Sequence, residues 1–410
     1  MRTRSLLLAL SLLAFSSAGR DSAGAEPDRR KPFFDARKQR SEYAGPGRET
    51  STSEEEVEEV LIGYFGPSDP DDPIGGDLWK AAQLAIAQVN SKGGYRGKPF
   101  RLVPAWSENP WGTGVKLVTR LAYDQRVWAI VGGIDGPTTH LAEQVVAKAR
   151  LPLVSPISTD KTVNLANVPW MFSLAPGDHL LAPPLAAEIA ARIGDGHFMI
   201  VSADDHDSRL LNVELKKALS QRRLAAKREA VIRQGRKELR HVVAQVTEVA
   251  PDVAVIIADA DDSARLVMAL RAEGFKGSIL GGPAMGRRQF MDKAGDAAKG
   301  VVFPLLWHTS AKPGSFAHTF KQRYGHSPDY AAAHTYDAVR LLVEAIRRAG
   351  LSRARIGDAV RELSPWTGVT GTVRWDGLGS NTRAAELGTI TNGRVVSLSK
   401  HPSLYPSTPR

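Results

Sequence analysis

Two clusters of carboxylates close apolar runs in the middle of the chain. Asp204-Asp205-His206-Asp207 follows HFMIVSA (197–203), and Asp259, Asp261 and Asp262 sit at the end of VAVIIAD (253–259). Open α/β sheets bind ligands at the carboxyl ends of their strands, so these groups are candidates for gripping a polar solute. The same positions open helices, where aspartate caps free N–H groups. Asp207 and Asp261 read as such caps. Ser158-Thr159-Asp160-Lys161 has the Ser-x-x-Lys spacing of penicillin-recognising enzymes. That chemistry needs serine and lysine stacked on a helix start. Here the tetrapeptide follows Pro156 at a strand end, with no Lys-Thr-Gly or Ser-Asp-Asn partner. His140 and Glu143 share a helix face, and His318, His326 and His334 recur at a spacing that no zinc motif uses. They read as ordinary surface or core histidines, and no metal is expected. The Trp111-Gly112-Thr113-Gly114 turn lacks the lysine of a phosphate loop. The chain has no Gly-x-Gly-x-x-Gly after a strand and no Gly-x-Ser-x-Gly elbow. Neither an enzymatic activity nor a cofactor is therefore expected.

The elements that would carry these residues alternate regularly. VLIGYF (60–65), FRLVPA (100–105), VWAIVGG (127–133) and LPLVSP (151–156) are short apolar runs of strand length. Between them, DLWKAAQLAIAQVN (77–90) has apolar residues at helical spacing and stops at Gly93-Gly94. Further helices are predicted from Pro110 to about 124 and over 138–150. Four strand–helix units in a row imply a doubly wound parallel sheet. The rhythm restarts after Pro176, with strands at 197–203, 228–232, 253–259 and 278–282. Then come GVVFPLLW (300–307), helices at about 314–324, 331–349 and 354–363, and a β-rich tail over 369–398.

Composition narrows the function classes. The chain has 410 residues, enough for two or three domains with their own cores. It has no cysteine, which excludes disulfides, thiolate metal sites and the acylated N-terminus of a bacterial lipoprotein. The net charge of +10 raises the question of nucleic acid, but no block of five basic residues exists and the charge is spread over helix faces. No nucleic-acid partner is expected. Residues 1–25 read as a secretory signal: Arg2 and Arg4, a ten-residue run from Leu6 to Phe15 that is apolar but for Ser11, then small residues with exits after Ala18 or Ala25. Residues 26–56 are polar and highly charged and predict a disordered arm, and 399–410, with three prolines, a loose tail. The mature protein is expected in the periplasm.

Several motifs in order resemble one family. Gly66-Pro67 and Gly75 follow the first strand, and the first helix runs into Val89-Asn90-Ser91-Lys92-Gly93-Gly94-Tyr95-x-Gly97-Lys98. Val127-x-Ala129-Ile130-Val131-Gly132, Leu151-Pro152-Leu153-Val154-Ser155-Pro156 and Tyr336-Asp337-Ala338-Val339 come next. Last comes Gly368-Val369-Thr370-Gly371-Thr372-Val373 with Asp376 and Gly379. Together these resemble the solute-binding proteins of ABC importers of the branched-chain amino acid (leucine/isoleucine/valine) type, the type I periplasmic binding proteins. The resemblance implies an α/β fold of two doubly wound parallel-sheet lobes, joined by a three-crossover hinge, with a ligand cleft between them. Crossovers are expected near 174–178, 300–306 and 366–372. Lobe one would hold 57–175 and 304–368, and lobe two 176–303 and 369–398.

The resemblance also implies a site. The turn after the third strand, with Gly136, Pro137, Thr138 and Thr139, would offer amides and hydroxyls to a ligand carboxylate. Ile157, Ser158 and Thr159 after the fourth strand would contact carboxylate and ammonium. From lobe two, His206 stands where the family often has a tyrosine, and Asp259 or Asp261 would hold the ammonium. Against an α-amino acid, Asp135 would repel a ligand carboxylate and Pro137 lacks an amide donor. The expectation is a monomer that captures an amino acid or related small polar solute and delivers it to an ABC transporter permease. The alternative is a sensor of the same fold that signals to a receptor or regulator.

Overall fold

A computed structural model of the chain describes residues 56–107, 109–233, 239–310 and 312–400. The expected signal segment 1–25, all but the last residue of the arm 26–56, and the tail beyond 400 lie outside the described residues. No helix among the described residues is long and apolar enough to cross a membrane.

The chain begins with β1 (Val60–Phe65), α1 (Gly76–Asn90) and β2 (Phe100–Ala105). A helical stretch over 110–124 follows, α-helical at its centre in α2 (Val115–Thr119). After it come β3 (Ala129–Gly132), α3 (Gly136–Ala149), β4 (Leu153–Ser155) and β5 (Met171–Pro176). The chain then leaves the first sheet for α4 (Asp178–Ile193), β6 (Phe198–Ala203), α5 (His206–Gln221), β7 (Arg228–Ile232) and α6 (Arg240–Val249). The second sheet continues through β8 (Val253–Ile257), α7 (Ala260–Ala272), β9 (Ser278–Gly281), α8 (Arg288–Ala294) and β10 (Val302–Leu305). A second crossing returns it to α9 (Phe316–Tyr324), α10 (Tyr330–Ala349) and α11 (Arg353–Glu362). The hairpin β11 (Trp366–Gly368) and β12 (Gly371–Val373) leads to β13 (Ser380–Asn381), and a third crossing ends in β14 (Glu386–Thr391) and β15 (Arg394–Ser397).

The first sheet runs β2-β1-β3-β4-β5-β13 with every pair parallel. The second runs β7-β6-β8-β9-β10 in parallel, and β14 and β15 extend it antiparallel. The central strands, such as β3, β5, β6 and β8, bury both faces, so neighbouring residues feed different cores. In β6, Met199 and Val201 pack with α6, α7 and α8, while Phe198 and Ile200 pack with α4 and α5. In lobe one, Val60, Ile62 and Tyr64 pack with α1, α10 and α11, while Phe65 joins α2 and α3 on the other face. This is the two-lobe, doubly wound α/β architecture expected from the sequence.

One boundary differs. Residues 369–381, expected in lobe two, belong to lobe one, and the third crossing falls between β13 and β14, not at 366–372. Trp366 and Val373 bury in the α1–α10 core, and β13 pairs with β5. Asp337 of α10 holds the hairpin turn, accepting from Val369 N (2.9 Å), Thr370 N (2.7 Å) and the Thr370 hydroxyl (2.7 Å). Gly368 admits that carboxylate: a Cβ there would stand 2.3 Å from Asp337 Oδ2. The second crossing falls close to where it was expected: Leu306 still packs in a lobe-two core and Trp307 already packs in the lobe-one core. Arg383, in the third crossing, donates to Leu306 O in the second (2.6 Å) and to Thr370 O.

Candidate functional site

Both sheets share the strand order in which the second strand flanks the first and the third follows on the other side. In each lobe the order reverses between two strands, β1 and β3 in lobe one, β6 and β8 in lobe two. Open α/β sheets bind ligands outside the carboxyl ends at that point. The two reversal points face each other across a cavity of about 430 Å³. Ile74, Ile134 and Ile157 line it from lobe one and Leu211, Ile257 and Ala258 from lobe two. Its carboxylate-bearing rim is Asp135, Asp205, Asp207, Asp259 and Asp261. A larger hollow of about 670 Å³ lies at the opposite, N-terminal edge of the lobe-one sheet, beside Glu59, Arg126 and Trp128. That edge carries no reversal point, so the interlobe cavity is the candidate site.

The turn after β3 is built from within. Gly133 has φ 72°, a conformation that favours glycine, and a Cβ there would collide with Thr139 at 2.1 Å. Asp135 caps α3, its Oδ1 accepting from Thr138 N at 2.7 Å and from the Thr138 hydroxyl. Thr138 Oγ1 accepts from Ile134 N (3.0 Å), and Thr139 Oγ1 donates to Asp135 O (2.6 Å) and meets Ser155 Oγ at 3.0 Å. Thr138 and Thr139 are buried with these partners, so they shape the turn and do not face the cavity. Pro137 occupies the first helical turn, where its missing N–H costs nothing.

What reaches the free end of α3 is Asp207. Gly136 N donates to both oxygens of the Asp207 carboxylate, at 3.2 and 3.1 Å, across the cleft. A helix N-terminus is a ready anion site, and here a side chain of the opposite lobe fills it. A Cβ on Gly136 would stand 2.4 Å from Asp207 Oδ1 and 2.9 Å from Asp160 Oδ2. Asp207 is therefore not the cap of α5 that the sequence suggested. Asp205 is, accepting from Ser208 N at 2.9 Å. Burial, with Asp135 close by, pushes the Asp207 carboxyl up to about 7. Burial raises Asp135 as well, and Asp178 beside Thr159 lies well above the usual range for the same reason.

After β4, Ile157 and Thr159 border the cavity, while Ser158 is buried behind them. Asp160 gathers two histidines: His206 Nε2 at 2.8 Å from α5 and His140 Nε2 at 2.9 Å from α3, both on Oδ2. Burial alone would raise Asp160, but the bonds from His140, Thr162 and His206 outweigh it and hold the carboxyl well below its usual value. Hydrogen bonds to Asp160 and Glu143 lift His140 to about 9. His206 thus faces Asp160 and does not line the solute cavity. After β8 the roles of neighbouring aspartates again exchange. Asp259 caps α7, accepting from Asp262 N at 2.8 Å, and Asp261 pairs with Lys293. Asp259 and Asp261 both stay on the cavity rim.

Sequence reasoning missed Arg287 and Tyr330, which close one end of the cavity. Arg287, in lobe two, donates to Asp329 Oδ2 (2.7 Å) at the start of α10 and to Ile74 O (2.8 Å). Arg288 reaches Asp77 Oδ2 at 2.8 Å, and Lys161 pairs with Glu214. These bonds join the lobes on both sides of the cleft. A lone arginine in a loop carries no sequence signal for such a role. Asp135, Asp160 and Asp207 were visible in the sequence, but Asp160 stood there only in a Ser-x-x-Lys spacing and Asp207 as a helix cap.

A family model described as "Periplasmic binding protein" matches residues 60–394. The Leu/Ile/Val-binding protein homolog 1 of Brucella abortus is 21% identical over 322 residues, covering 78% of this chain and 86% of its own. The branched-chain amino acid transporter substrate-binding protein LivJ of Streptococcus pneumoniae, solved with isoleucine, superposes with a TM-score of 0.76 at 21% identity, covering 82% of this chain and 98% of that one. The leucine-binding protein LivK of Thermotoga maritima superposes with a TM-score of 0.73 at 22% identity, covering 82% and 97%. These likenesses show the fold. With more than three hundred residues matched in order, the chain belongs to the periplasmic binding protein family.

Proposed function

We infer that the protein is the solute-binding component of an ABC importer. As a monomer in the periplasm, it captures a small polar solute between its lobes and delivers it to the membrane permease. The observation that carries this reading is the cavity of about 430 Å³ between the reversal points of two sheets. The relatives named above are described as binding branched-chain amino acids, and an amino acid or related compound is the class expected here.

The lining refines that class. Carboxylates of Asp135, Asp207 and Asp259 stand beside apolar walls from Ile74, Ile157, Leu211 and Ile257. Such a site suits a protonated amine on a compact apolar body. A ligand carboxylate would have to displace Asp207 from the N-terminus of α3. The amine is therefore the group that the site recognises, whatever else the ligand carries.

Thermal-shift screening against amino acids, amines and amine-free carboxylic acids tests this directly. A ligand at 100 times its dissociation constant should stabilise the protein by about 2.7 kcal/mol. Amine-bearing compounds should give the shifts; shifts confined to amine-free acids would overturn the ligand class. Uptake of the labelled hit by cells with and without the gene tests delivery, and unchanged uptake would reject the importer role.

A further inference from the structure

We propose that His140, Asp160 and His206 form a binding site for a first-row divalent transition ion such as Zn²⁺, one that clasps the two lobes together. The three donor atoms all lie within 4.8 Å of one another. They come from three elements and both lobes: His140 from α3, Asp160 from the segment after β4, and His206 from the first turn of α5. None of the three borders the solute cavity, so this is a separate site beside it. Two imidazoles and one carboxylate are a donor set that zinc and its neighbours take, with a further position left for water.

The surroundings orient the donors as a metal site requires. His140 presents Nε2 to the centre while Nδ1 faces Glu143 Oε2 at 3.3 Å, one turn along α3. A carboxylate behind a ligating imidazole fixes its tautomer and raises its basicity. Asp160 is held by its other oxygen, Oδ1, which accepts from Thr162 N (2.7 Å) and the Thr162 hydroxyl (2.6 Å). Oδ2 is thereby aimed at the two histidines. Their Nε2 atoms stand 2.9 and 2.8 Å from it, at hydrogen-bond distance. Around a tetrahedral ion with bonds of 2.0–2.1 Å, donors sit about 3.3 Å apart. Each ring therefore has to retreat by roughly half an ångström. The rings have room to do so, with side chains 28% and 36% exposed. A surface hollow of about 340 Å³, bordered by His140, Glu143 and Thr162, gives an ion a way in. The ion would replace the hydrogen bonds through which the imidazoles now hold Asp160.

Because His206 is the only donor from lobe two, an ion held by all three stabilises the lobes in contact. An ion that binds one state better shifts the population toward it, and a solute that needs the same state gains affinity in turn. The test uses the mature chain freed of metal with a chelator, then dialysed. Titration with Zn²⁺ should show one ion bound per chain, and small-angle scattering should show a smaller radius of gyration with zinc in the absence of solute. His140→Ala and His206→Ala should each weaken zinc binding at least about 100-fold, and Glu143→Gln about 10-fold. His206→Ala should also abolish the zinc-induced contraction. Asp160→Asn serves if either histidine variant fails to fold, and circular dichroism checks each variant. Absence of stoichiometric zinc binding overturns the proposal. So does zinc binding that survives His140→Ala and His206→Ala unchanged, since the ion would then sit on other histidines.

Discussion

Asp207 is a carboxylate of the protein standing where a bound anion would otherwise sit. Its bond to Gly136 N asks only for an acceptor oxygen, which asparagine also has. Asp207→Asn should therefore leave the melting temperature of the ligand-free protein nearly unchanged. It should weaken an amine-bearing ligand by about 10- to 100-fold, because hydrogen bonds to charged groups are worth about 1.5–3 kcal/mol. Isothermal titration with a hit from the ligand screen reads this; unchanged affinity would remove Asp207 from the site. A second single residue sets the acid limb of stability. His334 of α10 is fully buried, donates from Nδ1 to Tyr330 O at 2.8 Å, and its Nε2 has no hydrogen-bond partner among the described residues. Burial first, then Arg383, push its pKa down to about 3; the Tyr330 carbonyl and Asp329 oppose them only partly. The unfolded chain takes up a proton near pH 6.5, where the folded protein does not. His334 thus contributes stability that is complete above about 6.5 and is lost as pH falls toward 3, at up to about 1.4 kcal/mol per pH unit. Urea unfolding between pH 7 and 4 should show His334→Gln losing less stability toward acid than the parent. A slope identical in the two proteins would contradict the assignment.

At the scale of elements, a short hairpin gripped by a helix anchors the third crossing, whose Arg383 donates to Thr370 O. Asp337→Ala would leave three donors of the β11–β12 turn without their acceptor in a buried place. The expected loss is about 2–4 kcal/mol, read by chemical unfolding, and a change under 1 kcal/mol would show that water replaces the carboxylate. The same hairpin shows why part of the fold could not be read from the sequence. Apolar runs such as HFMIVSA and VAVIIAD and the periodic helix 77–90 declare themselves locally, because burial imposes the period of the element. Whether VTGTVRWD joins lobe one or lobe two is settled by Asp337, thirty residues upstream, and by the cores that receive Trp366 and Val373. No local pattern contains that information. The site divides in the same way. Strand ends bearing Asp204–Asp207 and Asp259–Asp262 were legible as cleft positions, since sheet topology puts ligands there. The division of labour within each cluster was not. Only His206 separates the cap Asp205 from the cleft-spanning Asp207, and both of these are aspartate.

For the whole molecule, contact between the lobes at the cleft rests on small groups that allow close approach. Gly136 is the tightest point: its N–H meets Asp207 of lobe two, and Asp160 stands on its other side. Gly136 is the first residue of α3, and no positive φ is required of it, so alanine fits its backbone. With the lobes apart, the Asp207 carboxylate is withdrawn and an alanine methyl there meets less. With the lobes together, that methyl would lie 2.4 Å from Asp207 Oδ1, so the carboxylate has to swing aside and give up its bond to Gly136 N. Gly136→Ala is thus a substitution against contact and not against folding. Its melting temperature without ligand should fall by only a few degrees, since what the methyl still meets within lobe one is the Asp160 side chain, at 2.9 Å from Oδ2. Its ligand affinity should fall at least about 10-fold, because binding energy must then force the lobes past a steric block. The sharper readout is shape. Saturating ligand should contract the parent's radius of gyration in small-angle scattering and leave that of Gly136→Ala close to its ligand-free value. If the variant contracts and binds like the parent, the Gly136–Asp207 contact is not the point on which closure turns, and the pairs Arg287–Asp329 and Arg288–Asp77 at the other side of the cleft would have to carry it.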